Sequence, residues 1–208
     1  MTISRGPDVR RDFRRAAEGF AAVVGGIQPG SWESPALGVW NVRDLTGHTS
    51  RALLTVESYL DPASTTNSPA VQDAAGYLRA AAAALADPAA VAERGRLAGA
   101  ALGDEPAAAV CSIAQRVLRL VDSSRDDALV STPVGSMTLT GYLPTRTFEL
   151  VVHGLDLVTA AGAAAPAELP LTACLQLAAE LAIDTGHADD VLLALTGRRP
   201  LAAGFSVL

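Results

Sequence analysis

Aromatic residues make up only 4% of this 208-residue chain, and it has just two cysteines. Half of the residues are hydrophobic, many of them alanine. Strands of a β-sandwich want β-branched and aromatic side chains, so this composition favours closely packed helices. Cys111 and Cys174 lie far apart, each inside a helix-like apolar pattern; they form no disulfide framework and read as buried free thiols. No stretch approaches the roughly 18 uncharged apolar residues of a membrane span. The first twenty residues carry Arg and Asp where a signal peptide would be apolar. A cytoplasmic protein with no membrane partner is expected. The net charge of −6 argues against a phosphate-backbone binder, so no nucleic acid partner is expected either. The sequence has no internal repeat.

What is present is helical periodicity. Four segments, near residues 7–25, 41–60, 106–123 and 140–161, carry strong amphipathic patterns. Pro7 suits the first turn of the first helix, and Gly25 and Gly26 stop it. Asn41 is a good N-cap for the second, with Trp40 and Leu45 at the positions of a hydrophobic staple and Pro62 beyond its end. A polar loop follows, then an alanine-rich run to about Ala101 that reads as one or two weakly specified helical pieces broken near Pro88. Residues 128–144 have extended character, and two shorter helical patterns close the chain. The expected architecture is an antiparallel bundle, its second and third helices joined by a long connection that fits one parallel pair.

The fourth segment raises the functional question. In "TRTFELVVHGLDL", Arg146, Glu149, His153 and Asp156 interrupt an apolar run at intervals of three, four and three. At about 3.6 residues per turn they occupy roughly a quarter of the helix circumference. Such a helix is buried on most sides, and its stripe faces either a gap to water or an internal cleft. Glu149 and His153, at i and i+4, meet on adjacent turns and can form an ion pair or share a metal ion. His48 lies at the edge of the second helix's apolar face. It reads as a hydrogen-bonded core residue or as a third ligand. Two imidazoles and one carboxylate make a divalent-metal site with open positions, suited to zinc and also to nickel or iron. His187, at a helix boundary, reads as a cap. Asp44 reads as a helix-start residue.

"WNVRDLTGHTSRALL" resembles the W-x-V-x-D-L-x-x-H-L signature of the mycothiol-dependent maleylpyruvate isomerase family, within the DinB-like superfamily. "TRTFELVVHGLDLVTAAG" resembles that family's later R-x-x-E-x-x-x-H-x-x-D-L segment, and "LLALTGRRPLAAGFSVL" resembles the close of many of its members. The resemblance implies an all-α, DinB-like, up-down-down-up four-helix bundle over residues 1–162, with 163–208 as a short helical extension packed on it. It implies a metal held by His48, Glu149 and His153. Thr49 departs from the usual apolar residue after the first histidine. Only 46 residues follow Gly162, where the founding isomerase has a sizeable α/β domain, so maleylpyruvate itself is not the expected substrate.

The resemblance further implies mycothiol as thiol cosubstrate and a small electrophile as the other partner; a homodimer is compatible with it. Bound metal would lower the pKa of a coordinated thiol or water, for isomerisation or S-transfer. Arg146 and Arg51, on the ligand sides of their helices, would bind a carboxylate near the metal or else stand as solvated surface residues. Asp156 would orient His153 as an acceptor, or cap or pair elsewhere. A non-catalytic metal- or ligand-binding bundle, and a purely structural stripe, are the competing readings. Metal binding should weaken below the ordinary histidine pKa of about 6.5.

Overall fold

The computed structural model describes residues 8–84 and 87–208. The expected role of Pro7 lies outside them. The chain is mostly helical, with one small sheet. Helix α1 (Val9–Gly25) starts at Asp8, whose carboxylate accepts from the Arg11 backbone N–H. Helix α2 (Val42–Tyr59) starts at Asn41, whose side chain accepts from Asp44 N–H at 2.8 Å. Helix α5 (Pro106–Ser123) and helix α6 (Leu139–Ala161) complete the central group. Gly162 ends α6 in the left-handed conformation, φ 63°. α1 and α2 each pack against both α5 and α6. Their shared interior is apolar, with Phe13, Phe20, Leu45, Leu53, Val117, Leu150 and Leu157 essentially inaccessible.

The extended connector forms strands β2 (Ala128–Thr132) and β3 (Gly135–Thr138), an antiparallel hairpin. A third strand, β1 (Leu60–Thr65), runs directly out of α2 and pairs antiparallel with β2, Leu60 opposite Val130. From sequence, Pro62 marks the end of the second helix and a polar loop follows; the structure instead makes this stretch a strand. The order β1–β2–β3 makes β1 an edge, where a proline is tolerated. β3 leads straight into α6, so one sheet links the end of α2 to the beginning of α6.

The alanine-rich middle forms two helical pieces with the break just before Pro88, as expected. They are α3 (Ala74–Ala84) and α4 (Pro88–Ala101), the latter capped by Asp87. α4 packs on α2 over most of its length. A Cβ built on Gly47 would lie 2.0 Å from the Gly99 backbone nitrogen, so the two helices cross with their backbones in contact. One turn away, the Trp40 ring covers Gly95 and its Nε1 donates to Ala92 O at 3.0 Å. Small residues here permit close approach.

Helices α7 (Leu171–Asp184) and α8 (Ala188–Leu195) form the tail. α7 packs on α6 and α3, burying Cys174, Leu177 and Leu181, and α8 packs on α7. Cys174 is buried as expected. Cys111 is exposed, because it stands about 100° round α5 from the buried Val110. His187 occupies the N-cap position of α8, but its side chain does not cap; it lies 3.7 Å from Asp190 and against the Phe205 ring.

Substituting Gly47→Ala should cost about 3 kcal/mol or more, as overpacking against rigid backbone does. Gly154→Ala, with open space around the added Cβ, should gain up to about 1 kcal/mol from helix propensity. Urea unfolding of both variants checks this. Equal stabilities would mean that α4 does not sit on α2 as described.

Candidate metal centre

Two helices bring the stripe and its partner together. α2 supplies His48 and Arg51; α6 supplies Arg146, Glu149, His153 and Asp156. One ligand atom from each of His48, Glu149 and His153 falls in a set lying within 4.8 Å of one another. The His48 and His153 rings meet edge to face, centroids 5.0 Å apart. His153 Nε2 is 3.4 Å from a Glu149 oxygen, and its Nδ1 is 3.0 Å from Asp156 Oδ2. The ring therefore turns one nitrogen toward the cluster and is held by a carboxylate on the other, an arrangement that fixes the orientation of a ligating imidazole.

His48 is different. The Trp40 ring lies over it, centroids 4.4 Å apart, and its buried Nδ1 has no hydrogen-bond partner among the described residues. A core histidine kept for its hydrogen bonds would have one there, so this donor set fits a cation better than a satisfied core. Burial, reinforced by His153, pushes the His48 pKa down to about 4. Burial alone would raise Glu149, but its hydrogen bond to His153 and the charge of Arg146 outweigh it and hold the carboxyl down at about 2. Burial alone would likewise lower His153, but Asp156 and Glu149 outweigh it and push its pKa up to about 9. At neutral pH the cluster thus holds one neutral imidazole, one carboxylate and one imidazolium. A cation held by all three residues would have to displace the His153 proton.

The cluster opens on a cavity of about 410 Å³, also lined by Arg51, Arg94 and Arg146. Glu149 is the only carboxylate side chain among its lining residues, against three arginines. Arg146 is only 9% exposed; its Nε donates to Thr145 Oγ1 at 3.0 Å. Its guanidinium carbon lies 5.0 Å from the Tyr142 ring centre and 5.4 Å from that of Tyr77. Aromatic faces hold the cation in place and compete for none of its hydrogen bonds. Arg51 is half-buried on the same wall, with no ion pair among the described residues. Asp156 touches the cluster through His153 alone and is not a lining residue. Sequence reasoning missed Arg94, Tyr77 and Tyr142. Arg94 sits in the alanine-rich run, where no periodic pattern marks it. The tyrosines had only their rarity to recommend them, at three in the chain.

A family model for the mycothiol maleylpyruvate isomerase N-terminal domain matches residues 13–158, spanning all three clustered residues. The chain belongs to this family. No curated protein and no solved structure matches it. The maleylpyruvate isomerase match ends before α7, leaving the tail outside it. No described helix is long and apolar enough to cross a membrane.

In metal-free protein, histidine ring resonances followed by NMR should titrate near pH 9 for His153 and near pH 4 for His48. Because the folded-state value of His153 is raised, its contribution to stability is fully present below about pH 6.5 and lost as pH climbs through 9. Asp156→Asn should bring His153 back toward its ordinary value and flatten that loss. A His153 that titrates near 6.5 in the unaltered protein contradicts the geometry.

Proposed function

We propose that this protein is a divalent-metal enzyme that uses mycothiol to isomerise, or to transfer sulfur onto, a small anionic electrophile. The observation that carries the reading is the convergence of His48, Glu149 and His153 at the mouth of a carboxylate-poor, arginine-lined cavity. Family membership supports the thiol partner. The bundle would follow the family's up-down-down-up order within residues 1–162, with 163–208 as an extension.

His48, Glu149 and His153 would hold the ion, zinc by preference with nickel or iron admitted by the same donors. When bound, the ion supplies Lewis acidity that lowers the pKa of a thiol or water beside it. The protein's own residues do the rest. Glu149, already ionised, offsets part of the ion's charge. His153 would give up its Nε2 proton and keep the one on Nδ1, which it donates to Asp156. Arg146, steadied by Tyr77 and Tyr142, keeps its terminal N–H groups for a carboxylate or carbonyl oxygen of the electrophile. As the thiolate adds to a double bond, the displaced π pair moves onto that oxygen, where Arg146 stabilises it. Expulsion of the thiolate after bond rotation completes an isomerisation; loss of a different leaving group completes an S-transfer. Arg51 and Arg94 add positive potential along the entry wall. Among the described residues, the chain's own thiols stand outside this cavity: Cys111 is on α5 and Cys174 on α7.

Wild-type protein should hold about one equivalent of zinc, and His153→Ala should lose it while keeping its helical circular dichroism. The raised His153 pKa revises the pH expectation drawn from the ordinary value of about 6.5. Binding must displace a proton at any pH below about 9. The logarithm of affinity should therefore rise by about one per pH unit from 6 toward 9 and level off above. Calorimetry in buffers of different ionisation enthalpy should count about one proton released per ion at pH 7. No retained metal in protein supplied with zinc, nickel or iron would sink the enzymatic reading.

Arg146→Ala should leave metal content unchanged and lower kcat/KM roughly 10- to 100-fold, the worth of a charged hydrogen bond. Assays of electrophiles with mycothiol, against glutathione as control, supply the kinetics. Metal bound with no turnover across that panel would favour a non-catalytic binding bundle.

A further inference from the structure

Helix α6 separates two cavities. Arg146, Glu149 and His153 face the metal centre. Pro144 and Thr147, on the opposite side of the helix, line a second space of about 190 Å³ shared with α1, α3 and α7. For scale, an apolar cavity of about 150 Å³ accommodates a benzene molecule. Most of its lining is apolar, contributed by residues such as Val9, Ala173 and Leu177. The charged side chains on it are Asp12 and Glu180, both acidic; no basic residue lines it.

Two details indicate what this space would hold. First, the Asp12 side chain is only 14% exposed, and its nearest cationic group is Arg11 Nε, its chain neighbour, at 3.8 Å. Second, Glu180 stands exposed on α7 with no ion pair among the described residues. Cys174 completes the wall. Burial and the nearby Asp12 push its pKa up to about 11, so it contributes a neutral thiol and no nucleophile.

We propose that this cavity is a second ligand site, built for a small organic ammonium ion with an apolar body of about benzene size. The ring or alkyl part fills the space between Val9, Ala173 and Leu177. The ammonium N–H groups donate to Asp12, with Glu180 at the rim adding to the attraction. An ammonium carries three donors and no acceptor, which matches a lining that offers acceptors and negative charge. The site uses none of the metal-centre residues, so it stands whether or not the metal reading does.

Benzylammonium, benzyl alcohol and benzoate are near-isosteric probes of opposite or absent charge. Titrated by calorimetry into the full chain, metal-free and zinc-loaded, benzylammonium should bind saturably at one per chain. Benzyl alcohol should bind at least about tenfold more weakly and benzoate not at all. Asp12→Asn should weaken benzylammonium about tenfold or more, the worth of a charged hydrogen bond. Glu180→Gln, at an exposed position that folding does not depend on, should weaken it several-fold. Absence of saturable binding overturns the proposal. So does equal binding of the three probes, or affinity unchanged in both Asp12→Asn and Glu180→Gln.

Discussion

The backbone contact between Gly47 and Gly99 governs the site more than any polar interaction does. His48 follows Gly47 directly, and Arg94 precedes Gly95, which lies under the Trp40 ring. With α4 pressed against α2, Trp40 is trapped between Gly95 and His48, and the imidazole has little freedom to turn away from the seam. Side chains at Gly47 or Gly95 would push α4 outward and take the Arg94 wall with it. The apolar centre of the bundle would survive, but the cavity would lose one side. Packing between small residues thus sets the width of a pocket whose chemistry belongs to His, Glu and Arg.

Electrostatics at the cluster follow from that enclosure. In the absence of an ion, Glu149 and His153 form a buried pair, with Asp156 holding the far nitrogen and Arg146 close enough to bias the carboxylate. Isolated buried charges are costly, and these neutralise one another. The metal-free cluster is therefore satisfied at neutral pH, apart from His48. On the proposed reading, a cation would have to compete with a proton for His153, which would tie affinity to acidity across the physiological range. The same competition lets the empty site stay folded.

Much of this was legible in the sequence. A polar stripe on an otherwise apolar helix points to a cleft, and the spacing of Glu149 and His153 fixes their proximity whatever the tertiary structure. His48 could be placed at a seam from the apolar face around it. N-capping by Asn41 and the extended connector were equally readable. The rest was hidden for identifiable reasons. β1 contains Asp61 and Pro62, which local propensity disfavours, and only its edge position in a tertiary sheet makes it a strand. α4 has alanines on every side, so no face announces what it packs against, and its glycines look like helix breakers until a partner backbone is in contact with them. Cys111 looked buried because apolar residues flank it in the chain, yet a one-residue step round a helix is enough to reach solvent. Arg94 was invisible because its importance comes entirely from where α4 docks.

The hairpin between β2 and β3 turns at Pro133 and Val134, and both residues line the metal cavity while belonging to none of its helices. Thr132 Oγ1 closes the turn by donating to Gly135 O at 2.6 Å, and Gly135 takes the positive φ the tight connection needs. A tip of this kind is the cheapest part of the pocket to vary over evolutionary time. Exchanging or lengthening it alters the shape of the cavity without touching His48, Glu149, His153 or the three arginines that line it. Chains that share these helices can therefore differ in the shape of this cavity at the hairpin while the helices stay the same.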